Sequence, residues 1–191
     1  MNYKFPHTIE NRLGETLIFH RMENEGGEEK LIIENYVAPH AAPIRHINHL
    51  QDESLTVLHG KLGYQIGNEA PKFAGIGEVV VFEKGTPHRF WNAGEEELNC
   101  YGCIKPANNA VFYLTALFNA LNESDTEKPE QFDTAFLLYR YKNEYDVPEL
   151  PRFVKSVIIP ATYRLGKLTG RYKKFRDAPA PIKTEKAAAG Q

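Results

Sequence analysis

Residues 43–60, PIRHINHLQDESLTVLHG, decide how this chain is read. The segment gathers three histidines (His46, His49, His59), the amide Asn48 and the carboxylate Glu53, and it ends in an alternating run. Imidazole and carboxylate together suit a borderline divalent metal, and His46, His49 and Glu53 are close enough in the chain to share one. From Glu53 onward, Glu53, Leu55, Val57 and His59 fall on one face of a strand, with Ser54, Thr56 and Leu58 on the other. Another histidine, His88, follows within residues 84–92, KGTPHRFWN. Whether these two segments meet around one ion is the question the sequence poses.

Upstream, Gly14 to Arg21 and Lys30 to Val37 are rich in β-branched and aromatic residues and flank Asn24-Glu25-Gly26-Gly27, which predicts a hairpin. Pro39 and Pro43 stop the second strand. Downstream, short strands are expected at Tyr64 to Gly67, Glu78 to Glu83, His88 to Asn92 and Leu98 to Ile104, with His88, Phe90 and Asn92 on one face. Many short strands punctuated by Gly and Pro indicate a sandwich or barrel over about residues 12–106.

The character changes after Pro106. Asn109 to Leu121 and Glu130 to Tyr141 carry apolar residues at helical spacing. Pro148 and Pro151 open a third helix with an apolar stripe of Phe153, Val154, Val157 and Ile158, which Pro160 should kink or end. Ala161 to Phe175 forms a fourth short helix, and a disordered tail is expected from Ala178. The division is then 1–106 as a mainly β barrel domain with an N-terminal hairpin, 107–177 as a helical extension, and 178–191 as tail.

At 191 residues and a formal charge of -2, composition gives no reason to expect nucleic-acid binding. No apolar run approaches a membrane span, and the start lacks the apolar core of a signal peptide, so a cytoplasmic location is expected. Cys100 and Cys103 lie three apart on a strand, where their side chains diverge, and are read as packing residues. Arg164, Lys167, Arg171, Lys173, Lys174 and Arg176 form a basic run interleaved with Tyr163, Tyr172 and Phe175. It is read first as the solvated face of a terminal helix, with contact to an anionic membrane surface or to nucleic acid as the alternatives.

The two histidine segments resemble the paired motifs of the cupin family. The first motif is Gly, five residues, His-x-His, three or four residues, Glu, six residues, Gly. His46, Glu53 and Gly60 fall on it, while His40 stands at the first Gly and Asn48 at the second His. The second is Gly, five residues, Pro-x-Gly, two residues, His, three residues, Asn. Gly77, Gly85, His88 and Asn92 match it, and Glu83 replaces the Pro. The resemblance implies a jelly-roll barrel (the cupin double-stranded β-helix) over roughly residues 12–106. It also implies a metal held by His46, Glu53 and His88, with Asn48 in the remaining slot.

Three outcomes stay open at that slot. Asn48 ligates weakly or holds a metal-bound water; or a β-bulge turns His49 inward to replace it; or neither ligates, leaving two His and one carboxylate, the composition of the facial triad. His7, His20, His40 and His59 are read as surface or packing residues, with His40 able to flank the site.

Two functions are carried forward. In one, a divalent transition metal (Fe, Mn, Ni or Zn) supports oxygenase- or isomerase-type chemistry on a small organic substrate, with Phe82, Phe90 and Trp91 lining or backing the pocket and no catalytic acid or base identified. In the other, the barrel is a non-catalytic module that binds or senses a small-molecule ligand. A homodimer is expected, and no nucleic-acid partner.

Overall fold

The computed structural model describes residues 3–183. The chain enters through β1 (His7–Asn11), then runs out along β2 (Glu15–Glu25) and back along β3 (Glu28–Val37). Gly26 and Gly27 take φ of 65° and 90° between them, the conformation that a two-residue hairpin turn requires and a Cβ resists. The hairpin is where the sequence places it. β1 is an addition: its alternation is too short and too charged to stand out, and pairing with β2 from His7↔Phe19 to Asn11↔Glu15 is what holds it.

The barrel continues with β4 (Ile47–Asn48), β5 (Asp52–His59), β6 (Leu62–Ile66), β7 (Lys72–Ala74), β8 (Val79–Phe82), β9 (His88–Asn92) and β10 (Leu98–Lys105). Two antiparallel sheets result, one ordered β1-β2-β3-β10-β5-β8 and the other β7-β6-β9. Their inward residues form one buried cluster, with Leu17, Phe19, Ile33, Leu55 and Val57 from the larger sheet and Leu62 and Phe90 from the smaller. Each such side chain gains about 1.5–3 kcal/mol on burial, so this cluster holds the sheets together. The fold is the mainly β jelly-roll barrel that the sequence predicts.

Helices α1 (Ala110–Asn122) and α2 (Gln131–Arg140) follow, and Ala110, Val111 and Phe118 of α1 join the barrel's own core. A short strand, β11 (Tyr145–Asp146), then returns to pair with β4. Beyond it a π-helical turn (Val154–Ile158) runs into α3 (Ile159–Leu168). Pro160 follows directly on the π-helical turn, so the distortion expected at this proline falls just before it and the helix continues through it instead of ending. Gly170, at φ 71°, stops α3, and Arg171–Phe175 closes in a 3-10 turn.

The segment expected as tail is tied down where it begins. Tyr141 Oη donates to Pro179 O at 2.8 Å, and Ile182 N donates to the Glu144 carboxylate at 2.9 Å. The rest of that segment, 184–191, lies outside the described residues. Among the described residues no helix is long and apolar enough to cross a membrane.

Candidate metal centre

The two histidine segments meet through their backbones. His46 N donates to His88 O at 3.0 Å and His88 N donates to His46 O at 2.9 Å, an isolated antiparallel bridge that sets the rings 4.4 Å apart. Glu53 enters from β5, on the inward face it shares with Leu55 and Val57. Three motif glycines, Gly60, Gly77 and Gly85, all take positive φ between 78° and 83°, the turns that bring these strands into register. His40, at the position of the motif's first Gly, takes φ 63° despite its Cβ, a left-handed form that glycine adopts more easily.

Ligand atoms of His46, Glu53 and His88 all lie within 4.8 Å of one another. His46 Nε2 stands 3.9 Å and His88 Nε2 3.7 Å from Glu53 Oε2. Atoms bound at about 2.1 Å to one ion at a tetrahedral angle stand about 3.4 Å apart, so a slight contraction makes the three a ligand set.

Both rings are already in the tautomer a metal needs. His46 Nδ1 lies 2.9 Å from Ile44 O and His88 Nδ1 lies 2.9 Å from Thr86 O. A carbonyl only accepts, so Nδ1 carries the proton and Nε2 presents its lone pair. His88 Nε2 is buried and has no hydrogen-bond partner. An orphaned, buried donor atom facing His46 and Glu53 fits a divalent cation.

The electrostatics agree with the geometry. Burial alone would raise the Glu53 carboxyl, but the neighbouring His88 and His46 rings and the Asn48 amide outweigh it and hold the group below its ordinary value. Burial, then the facing His88, lowers His46, against the pull of Glu53. A carboxylate kept ionised beside an imidazole kept neutral is the protonation state that ligation requires.

Asn48, 4 % exposed, donates from Nδ2 to Glu53 Oε2 at 3.2 Å. An anionic carboxylate only accepts, so the amide nitrogen faces it and Asn48 orients the carboxylate. The ring of His49 is not among the gathered side chains, and its backbone N–H donates instead to Glu144 O at 2.8 Å.

The three expected pocket aromatics separate. Phe82 is fully buried and stacks on His88, centroids 4.4 Å apart and planes at 9°. Phe90 lies behind it, 6.4 Å from Phe82. Trp91, on the opposite face of β9, lies outside the barrel: its indole covers Gly63 so closely that a Cβ there would meet the ring at 2.2 Å. Strand alternation requires this, since neighbours of His88 and Phe90 point away from them. Trp91 instead lines an outer groove of about 510 Å³ with Arg45, Arg89 and Glu149, and that groove does not include His46, Glu53 or His88.

Sequence reasoning missed what the helical extension brings. Tyr145 pairs directly with Asn48, and cross-strand partners share a face, so the phenol sits beside the site. Gln51, fully buried, donates from Nε2 to Tyr145 Oη at 3.1 Å. One residue earlier, Glu144 is fully buried and accepts from Asn109 Nδ2 at 2.9 and 3.2 Å. No local signal in residues 141–150 announces this, because pairing across nearly a hundred residues creates it.

Residues 35–102 match a family model described as "Cupin domain". This chain carries a cupin domain. No curated protein matches the chain in sequence. Among solved structures, the Cnp3 cupin domain of Schizosaccharomyces pombe is similar over 46% of this chain and 63% of that one, at 17% identity and a TM-score of 0.40. KdgF from Halomonas sp. is similar over 55% and 92%, at 12% identity and 0.48. Lactobacillus farciminis oxalate decarboxylase is similar over 52% and 31%, at 16% identity and 0.43. At these identities and scores the similarities carry no argument about activity.

Proposed function

We propose that this cupin is a mononuclear, divalent-metal-dependent enzyme that acts on a small organic substrate by oxygenase- or isomerase-type chemistry. The observation that carries this reading is the buried, unpartnered Nε2 of His88 beside His46 and Glu53. An imidazole nitrogen left unpaired in the interior costs about 1–3 kcal/mol, a penalty that a bound cation removes. A divalent ion held there supplies Lewis acidity and positions open to substrate.

The chain's own residues prepare the site. Ile44 O and Thr86 O hold the two Nδ1 protons, and Asn48 steadies Glu53 Oε2. Phe82 keeps water from one face of His88. The way in is on the His46 side, since that side chain is 28% exposed while those of His88 and Glu53 are 1% and 9%. With Asn48 engaged on the carboxylate, two imidazoles and one carboxylate are the donors, a set that suits Fe, Mn, Ni or Zn. A cytoplasmic setting belongs to this proposal, in keeping with the free thiols of Cys100 and Cys103.

Metal analysis of protein purified without added metal tests it. One equivalent of a transition metal is expected in the wild type and loss of that metal in His88→Ala; a metal-free wild type overturns the proposal. A second reading, a ligand-binding module without chemistry, draws on the outer groove beside Arg45, Arg89 and Trp91. Under that reading His88→Ala leaves ligand binding intact.

A further inference from the structure

We propose that residues 152–176 dock this protein on the surface of an anionic lipid bilayer. The apolar stripe of this segment does not face the core. Phe153, Val157, Ile158, Leu165 and Leu168 are all exposed, Leu168 to 86% and Phe153 to 63%. Phe153, Val157, Ala161, Leu165 and Leu168 recur at spacings of four, four, four and three, and Ala161 is exposed as well, so they form one outward ridge.

The charge on this segment is of one sign. Residues 152–176 contain eight Lys and Arg and no Asp or Glu, in a chain whose total is 23 basic against 25 acidic. Lys155 is engaged by Asp146, Lys174 by Asp133 and Glu123, and Arg176 by Asp177. Arg171 lies over the Phe132 ring. Arg152, Arg164, Lys167 and Lys173 are exposed, and none of them makes an ion pair among the described residues.

An exposed apolar ridge flanked by unpaired cations complements a surface that offers acyl chains below a layer of anionic headgroups. Two other occupants fit less well. Bases of a nucleic acid need free aromatic faces, but Tyr163, Tyr172 and Phe175 are turned inward, with Tyr163 on Tyr139 at 4.3 Å and Phe175 on Phe136 at 4.3 Å. A second copy across a two-fold axis would set this cationic segment against itself, with no acidic residue of its own to answer it.

The test is co-sedimentation of the full chain with vesicles of phosphatidylcholine alone or mixed with phosphatidylglycerol. Binding is expected only to the mixed vesicles, weakening as salt is raised. The double substitution Arg164→Gln with Lys167→Gln should lower partitioning roughly 25-fold, at about fivefold for each charge removed. Leu168→Asp, at a site too exposed to matter for folding, should abolish detectable binding while leaving the circular dichroism spectrum unchanged. Absence of wild-type binding overturns the proposal, as does binding that both variants retain. Equal binding to neutral vesicles also overturns it, and so does failure on vesicles with capture by RNA or by an acidic protein. A dimer in solution that Leu168→Asp dissociates, without vesicle binding, assigns the ridge to a second copy instead.

Discussion

Asn48 shows how one residue can change a site without dismantling it. It stands where the cupin motif carries a second histidine, yet its side chain remains buried and on the inward face, because β4 keeps its register against β11. What differs is the partner: the amide nitrogen reaches Glu53 Oε2 and fixes the carboxylate's orientation. Groups that orient a metal ligand commonly contribute 10–100-fold to affinity. Asn48→Ala should therefore keep the fold and weaken metal binding by about tenfold or more, read by competition with a chelator. Unchanged affinity would mean that Glu53 needs no such support. The ligand types, His and Glu, were legible in the stretch 43–60. That Asn48 serves the carboxylate was not, since both an amide oxygen and an amide nitrogen are available until a neighbour selects one.

At the scale of elements, the π-turn and α3 were legible as helix, but not which way they face. Apolar periodicity predicts a stripe and is silent on whether anything covers it. The same holds for β8, an edge of the larger sheet, where Val80 and Phe82 are buried and Val79 and Val81 are exposed. An exposed edge with apolar outward residues is a template for pairing. We propose that two copies associate along β8, giving the homodimer expected from sequence. Light scattering should report twice the 21.7 kDa of one chain, and Val81→Lys, which places a charge on that edge, should return it to one. A wild-type mass of one chain counts against the pairing. β11 makes a related point. Two residues from the helical extension complete a sheet with β4, next to His46, so an element with no strand signal of its own becomes part of the candidate site's wall.

For the molecule as a whole, a half-buried carboxyl on the inward face of β2 couples stability to pH. Burial pushes Glu15 up to about 7 from 4.5, against hydrogen bonds from Asn35 and Asn11 and with the Glu53 charge adding to the rise. The folded chain thus keeps a proton that the unfolded chain releases. This group's contribution to stability is full below pH 4.5 and is lost as pH rises through about 7. Allowing for partial exposure of the side chain, the loss is on the order of 2 kcal/mol. Glu15→Gln cannot ionise, so its thermal midpoint should lack the decline that the wild type shows across that window. A decline of the same size in the variant would assign it to other groups.

The chain by itself determined the barrel, because alternation, paired glycines and two spaced motifs are local patterns that survive without knowing any long-range contact. It also marked the candidate donors, since His46, Glu53 and His88 sit at fixed offsets from turns that only glycine makes easily. Tertiary structure decided what depends on neighbours. It gave Asn48 its partner, sent Trp91 outside, brought Tyr145 and Glu144 to the first histidine segment, and turned the basic helix's apolar ridge outward. In each case the deciding quantity is what lies opposite a side chain, and strand pairing and packing set that across distances no local pattern spans.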